Sequence, residues 1–95
     1  MKAVLIFHDK KRDELGNIME IKIWRVPVSD QAPHGFKYSM AYVANGIRVV
    51  GYDNERGKGD HKHLAGQELP YHFTTPANLL NDFLADMEAW KRGDI

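Results

Sequence analysis

Residues 36–52, FKYSMAYVANGIRVVGY, decide the fold. From Phe36 to Ala44, aromatic or apolar side chains alternate with polar or small ones, which is the period of two that a β-strand requires. Asn45-Gly46 follows, and this dipeptide between two strand-like runs is the strongest short signal for a β-hairpin, because both residues tolerate positive φ. Ile47 to Tyr52 then returns as the partner strand. The stretch therefore predicts an antiparallel pair.

Further strands are predicted on both sides of this hairpin. Ala3 to His8 is a short apolar run, and the charged residues Asp9 to Glu14 read as its exposed continuation. Leu15-Gly16-Asn17 is a turn signal. Ile18 to Val26 alternates with a period of two and predicts a second strand. Glu68 to Phe73 could form one more short strand.

The C-terminal segment predicts a single helix. Thr75 is a good N-cap, Pro76 fits the first helical position and Gly93 ends the helix. The apolar side chains fall on one arc of about 140° at 100° per residue; they are Leu79, Leu80, Phe83, Leu84, Met87 and Trp90. The fold class predicted is α+β, with residues 1–95 as a single domain. Its architecture is an antiparallel β-meander of four to five strands, with one C-terminal amphipathic helix packed on one face.

Composition narrows the classes of function. The 95 residues hold 13 basic and 13 acidic side chains and no cysteine. A disulfide framework, a thiolate zinc site, an iron–sulfur cluster and a cysteine nucleophile are therefore excluded. The zero net charge excludes nucleic-acid binding by bulk positive charge. No apolar run approaches the ~18 residues of a membrane span, so we expect a soluble cytoplasmic protein.

Residues 51–63, GYDNERGKGDHKH, stand apart from the rest of the chain. These thirteen residues include three acidic and three basic side chains, two histidines and three glycines. A connection between strands rarely needs so many titratable groups, whereas loops on a rigid scaffold often carry functional sites. The segment is therefore the candidate functional site.

The residue types in this segment point to chemistry on a phosphodiester. His61 and His63 are two residues apart, so in an extended backbone they point to the same face. Two imidazoles can act as general base and general acid near neutral pH. The cations Arg56, Lys58 and Lys62 can hold phosphate oxygens or stabilise a charged transition state.

The carboxylates of Asp53 and Asp60 complete the segment, because either could orient a histidine through its second ring nitrogen. Together these parts predict a metal-independent ribonuclease or another phosphoryl-transfer site. Two alternatives stay open. The segment could be a solvated charged turn. His61 and His63 could also bind zinc or manganese together with Asp60 or Asp53, although their spacing matches no specific metal signature.

Four stretches carry a family resemblance: 23–27 (IWRVP), 34–39 (HGFKYS), 52–63 (YDNERGKGDHKH) and 79–83 (LLNDF). They resemble the small TumE-like proteins, toxins of prokaryotic toxin–antitoxin modules. The resemblance runs from about Glu20 to about Met87, and the central string is its most specific part. It implies a growth-inhibiting protein held in check by a cognate antitoxin, often one with a helix-turn-helix. It does not supply a reaction, and activity on RNA follows only by analogy with other small toxins.

The leading hypothesis is a toxin-like protein that cleaves RNA, with no metal and no cofactor assigned. The histidines would share the acid–base work, Asp60 would orient a histidine, and Asp53 would shape the loop or orient a base. The candidate catalytic residues are His61, His63, Asp60 and Asp53; the candidate phosphate-binding or substrate-binding residues are Arg56, Lys58, Lys62, Lys37 and Arg25. The alternatives are a non-catalytic protein-interaction module and a metal-dependent hydrolase at the same loop. The protein could form a homo-oligomer under any of these hypotheses.

Overall fold

A computed structural model describes residues 3–55 and 59–95 of the protein. Within these residues, six antiparallel strands form one sheet in chain order, and one helix packs on it. The elements are β1 (Val4–Arg12), β2 (Ile18–Arg25), β3 (Phe36–Ala44), β4 (Ile47–Asp53), β5 (His61–Leu64), β6 (Gln67–Pro70) and α1 (Pro76–Lys91). The predicted α+β meander is confirmed. It contains six strands rather than four to five, because the end of the polar segment, at His61–Leu64, is itself a strand.

The central hairpin forms as predicted from Asn45-Gly46. Both residues have positive φ, 54° and 75°, and Ala44 pairs with Ile47 across the turn. The left-handed backbone at two successive positions matches the twist of the flanking strands, which is why this dipeptide suits a two-residue hairpin.

One face of the sheet packs against α1 and is called the covered face. Thr75 caps the helix, since its Oγ1 accepts a hydrogen bond from the Asn78 N–H at 3.1 Å. Alternate residues of the strands point to this face and are buried with three residues of the helix. The buried core is Met19, Ile21, Ile23, Tyr38, Met40, Tyr42, Val50, Tyr52, Leu79, Phe83 and Met87.

The core tyrosines direct their hydroxyls to carboxylates at its rim. Each hydroxyl donates to one aspartate: Tyr38 to Asp60 at 2.6 Å, Tyr42 to Asp13 and Tyr52 to Asp86. Burial raises the pKa of the Tyr38 and Tyr52 hydroxyls, and the neighbouring carboxylate raises each pKa further. The phenols therefore stay protonated and act as donors, which satisfies polar atoms inside an apolar layer.

The opposite side of the sheet is called the open face, because no helix or strand of the described residues packs on it. Its rows follow from the register, which pairs Lys22 with Ser39, Ser39 with Asp53, and Asp53 with His61. The adjacent row pairs Gly51 with His63. Residues far apart in sequence therefore line up across the strands, and the candidate site lies on this face.

One edge strand of the sheet is β1, and the other is β6. The predicted strand and its charged continuation are one element, which pairs with β2 as far as Arg12. The apolar side chains at its start are 40–53% exposed; they are Val4, Leu5, Ile6 and Phe7. No helix in the described part of the chain has the length and apolar character needed to cross a membrane.

Candidate functional site

Asp53, His61 and His63 meet on the open face and are called the histidine cluster. Asp53 ends β4 and pairs with His61 of β5, so the two strands position the carboxylate beside the imidazole. Nε2 of His61 lies 2.8 Å from Oδ1 of Asp53, and the two imidazole centroids are 5.1 Å apart. The three residues each offer one metal-ligand atom, all within 4.8 Å of one another. The prediction that both histidines share a face is confirmed.

His61 is the buried member of the cluster, with 5% of its surface exposed. Its Nδ1 lies 3.0 Å from the carbonyl oxygen of Gly59, so Nδ1 carries the hydrogen. Its Nε2 faces carboxylate oxygens of Asp53 at 2.8 Å and of Glu68 at 3.4 Å. Both ring nitrogens of His61 are thus directed at oxygen atoms, and the ring is fixed in orientation.

His63 lies at the more accessible side of the cluster, half-buried and opposite Glu68 in the β5–β6 pair. Its Nε2 is 3.9 Å from Oε2 of Glu68. Burial lowers the pKa of His63, the positive charges of Arg48 and His61 lower it further, and Glu68 and Asp53 oppose the change. A lowered pKa keeps the imidazole neutral near pH 7, with an electron pair available for a proton or a metal ion.

Three contributors to the site were missed in the sequence. Arg48 reaches Asp53, with 3.5 Å between Nη1 and Oδ2. It can do so because Gly51 has no side chain: a Cβ there would lie 2.8 Å from Cδ and Nε of Arg48. Glu68 adds a second carboxylate. The place of Glu68 depends on the pairing of β5 with β6. Arg48 and Gly51 lie on β4 together with Asp53, where the β3–β4 register shifts next to Arg48, so no local sequence signal identifies any of the three.

Asn54 holds the end of β4 in place. It is buried, its Oδ1 accepts from the Tyr38 N–H at 3.0 Å, and its Nδ2 donates to the Phe36 carbonyl at 2.8 Å. The side chain thereby continues the β3–β4 hydrogen bonding by one step beyond Asp53. Asp53 itself accepts from the Glu55 N–H at 3.3 Å, in addition to its contact with His61.

A cavity of about 260 Å³ adjoins the cluster on the open face; it is lined by Lys37, Tyr38, Ser39, Asp53 and Glu55. The ammonium group of Lys37 lies 5.7 Å from the ring centroid of Trp24, a cation–π distance. Lys37 is exposed and remains a candidate for binding substrate phosphates near Asp53. The cavity therefore meets the cluster at Asp53.

Asp60 does not join the histidine cluster. Its carboxylate lies on the covered side, where it accepts from the Tyr38 hydroxyl at 2.6 Å and lies 2.9 Å from Nε2 of His34. The His34 ring also stacks on Phe73, with centroids 3.9 Å apart. The sequence predicted that Asp60 orients a histidine of the polar segment. The structure corrects this, because the histidine beside Asp60 is His34. Asp60 precedes β5, and a loop residue has no periodicity from which its direction can be read.

Lys62 and Arg25 also lie away from the cluster. Lys62 points to the covered face, where its Nζ is 3.2 Å from Asp86 and lies over the Tyr52 ring. This corrects the grouping of Lys62 with His61 and His63, because adjacent residues of a strand point to opposite faces. Arg25 is exposed at the end of β2 and continues the alternate row of Ile21 and Ile23, toward the covered face. Arg56 and Lys58 lie outside the described residues.

The cluster can perform two kinds of chemistry. Imidazole and carboxylate groups at these distances can transfer protons to and from a phosphodiester. Two imidazoles and a carboxylate whose ligand atoms converge can also bind a divalent cation, the donor set typical of catalytic zinc sites.

Comparison with known proteins gives one result. The family model described as "Toxin TumE" matches residues 5–91, which is most of the chain and includes the histidine cluster. No curated protein and no solved structure matches the chain significantly.

Proposed function

Because the chain belongs to the TumE toxin family, we propose that it inhibits cell growth by cleaving RNA at the histidine cluster. The observation that carries the proposal is the convergence of Asp53, His61 and His63 on the open face, with ligand atoms within 4.8 Å of one another. The resemblance of the sequence and the geometry of the site both involve this part of the chain. A cognate antitoxin, of helix-turn-helix type in our hypothesis, would hold the activity in check.

RNA suits this site because the polymer brings its own nucleophile. Attack by a 2′-hydroxyl forms a bond to phosphorus, breaks the bond to the 5′-oxygen and moves one proton from the 2′-oxygen to the leaving 5′-oxygen. The products are a 2′,3′-cyclic phosphate and a 5′-hydroxyl. The protein then needs only to activate the hydroxyl, stabilise the charge on phosphate and protonate the leaving group.

Each of these tasks has a candidate group beside the cluster. His61, His63 and Asp53 would activate the hydroxyl and supply the proton. Lys37 adjoins the cavity next to Asp53 and would bind the substrate's phosphate. Arg56 and Lys58 remain proposed phosphate ligands from the sequence alone. They are cations that lie three residues and one residue before Gly59, close in the chain to His61.

The test is induced expression in a bacterial host, followed by incubation of the purified full-length protein with RNA. His63→Ala is the sharpest variant, because His63 is half-buried and its removal disturbs packing little. We expect it to lose growth inhibition and to lower RNA cleavage by about 100-fold or more. His72→Ala, which changes an exposed histidine outside the cluster, is the matched control and should remain toxic.

Two results would overturn the proposal. One is a His63→Ala protein that folds and stays fully toxic. The other is a toxic wild-type protein that leaves RNA intact while binding a cellular protein, which would favour the non-catalytic interaction module. His61→Asn serves better than His61→Ala as the companion variant, because His61 is buried and truncation to alanine would leave a cavity.

A further inference from the structure

The two ring nitrogens of His61 face different partners. Nδ1 faces a backbone carbonyl, that of Gly59 at 3.0 Å. A carbonyl oxygen only accepts, so the hydrogen of a neutral ring is on Nδ1 and the electron pair is on Nε2. Metal-binding histidines are commonly fixed in this way, by donation from the second nitrogen to a carbonyl or carboxylate.

The surroundings of Nε2 are electronegative. It faces Oδ1 of Asp53 at 2.8 Å and Oε2 of Glu68 at 3.4 Å. An unshared electron pair on nitrogen repels carboxylate oxygens at these distances, so something positive must lie between them. That species is either a proton, which would make the ring an imidazolium, or a metal ion.

The position of His63 favours the metal ion. A proton on Nε2 of His61 would need no third group, yet His63 brings another ring nitrogen within 4.8 Å of the Asp53 and His61 ligand atoms. Zinc–nitrogen and zinc–oxygen bonds are about 2.0–2.2 Å, which separates two ligands of one ion by roughly 3–4 Å. Small rotations of the half-buried side chains of Asp53 and His63 would bring the three groups to that spacing, while the buried ring of His61 stays in place.

We propose that Asp53, His61 and His63 bind one zinc ion, with a fourth position open toward the open face. The set contains two imidazoles and one carboxylate, which suits zinc and disfavours calcium and magnesium, whose ligands are oxygen atoms. Two groups hold the ligands from outside: the Gly59 carbonyl faces Nδ1 of His61, and Arg48 lies beside Oδ2 of Asp53.

The open position gives the ion a role in the proposed RNA cleavage, and that role rests on the proposed function; the binding of zinc itself does not. A zinc ion polarises a phosphoryl oxygen and lowers the pKa of bound water. Activation of the hydroxyl would then pass from the histidines to the ion, in contrast to the metal-independent mechanism predicted from the sequence. The cavity beside Asp53 provides the approach for a nucleotide.

Zinc binding is measured on the purified full-length protein after dialysis against a chelator, by calorimetric titration with zinc chloride in the absence of RNA. We expect one equivalent bound by the wild type. Asp53→Asn, His61→Gln and His63→Gln should each weaken zinc binding by about 100-fold or more, beyond the effect of losing an outer partner. His72→Gln is the matched control and should bind as the wild type does.

A second measurement separates loss of a ligand from loss of the fold. Zinc should raise the melting temperature of the wild type and of His72→Gln but not of folded His63→Gln, since a ligand that binds only the native state stabilises it. Cobalt substituted for zinc should give a visible absorption spectrum typical of tetrahedral coordination. Absence of zinc uptake by the wild type, or equal affinity in His63→Gln, overturns the site.

The outcome for the ion and the outcome for RNA cleavage are separable. Cleavage by a protein that takes up no zinc would overturn the metal site and leave the proposed function standing. One equivalent of zinc bound through the three residues, with no cleavage of any RNA, would support the site and overturn the proposed function.

Discussion

The two faces of the sheet carry similar polar groups but pair them differently. On the covered face each donor meets an acceptor, as Tyr52 and Lys62 both do with the carboxylate of Asp86. On the open face Nε2 of His61 meets two carboxylates, those of Asp53 and Glu68, so acceptors converge on one point. On the covered face these polar groups are matched within the fold, whereas Nε2 of His61 matches the carboxylates beside it only with a proton or a cation added. The first arrangement stabilises the fold, and the second is the basis of the proposed site.

The largest expected effect that tests this comparison comes from Phe83→Ala on the covered face. Phe83 is fully buried and packs edge-on against Tyr52, with ring centroids 5.8 Å apart. Truncation leaves a cavity at the centre of a small core, so we expect a loss of about 3–5 kcal/mol in the free energy of unfolding. Denaturant titration measures it. Ile47→Ala, at a residue that is 64% exposed, is the control and should change stability by about 0.5 kcal/mol or less.

Equal losses in Phe83→Ala and Ile47→Ala would contradict the assignment of the core. A zinc affinity unchanged in the folded fraction of Phe83→Ala would sharpen the comparison, because it would show that the covered face supports the fold without touching the cluster.

Sequence patterning predicted the covered face well because its information is local. Alternation marks every buried residue of β2 and β3, and Asn45-Gly46 fixes the central hairpin. The strand predicted from Glu68 overlaps β6, but β5 and the turn before β6 escaped prediction for a local reason too: the turn is Ala65-Gly66, with Ala65 at φ 49°. Gly66 also has positive φ, but alanine does not favour it, so Ala-Gly is a much weaker turn signal than Asn-Gly.

The candidate site was predicted only in part, because its remaining information lies in the register. His61 and His63 share a face by alternation, which the sequence displays. Their juxtaposition with Asp53 and Glu68 depends on how β4, β5 and β6 align across the intervening loops. Sequence proximity was misleading for Asp60, which is adjacent to His61 yet contacts His34. Residues that converge through strand pairing need not be neighbours in the chain.

A smaller effect is expected from Tyr52→Phe on the covered face. The change removes a buried hydroxyl that donates to Asp86 and leaves that carboxylate with Lys62 alone. We expect stability to fall by about 1–3 kcal/mol, as for other buried hydrogen bonds to a charged group. Thermal melts of Tyr52→Phe and Tyr71→Phe form a matched pair. Tyr71 donates to Asp82 in a more exposed setting, so Tyr71→Phe should lose less stability. A Tyr71→Phe variant that loses as much as Tyr52→Phe would contradict the role of burial.

A pH-dependent effect is expected at Asp13, between β1 and β2. The hydrogen bond from the Tyr42 hydroxyl, with those from the Asn17 and Leu15 N–H groups and from Lys91, holds the pKa of Asp13 below its ordinary value of 3.8, although burial opposes the shift. A lowered folded-state pKa contributes stability above pH 3.8, and this contribution is lost as the pH falls through the lower value. Asp13→Asn should therefore melt below the wild type at neutral pH, with the difference shrinking under acid conditions. A difference that is constant from pH 7 to about pH 3 would contradict the linkage.

The smallest effect is expected on the open face, from Arg48→Ala and Gly51→Ala. Arg48 lies across the bare backbone of Gly51 to reach Asp53, and a methyl group at position 51 would collide with its side chain. An ion pair this exposed contributes about 0.2–1 kcal/mol, so each variant should change zinc affinity or cleavage by about fivefold or less. The double variant should lose no more than the single ones, because both act through one contact. Additive losses, measured in a double-mutant cycle, would show that Gly51 acts on the cluster independently of Arg48.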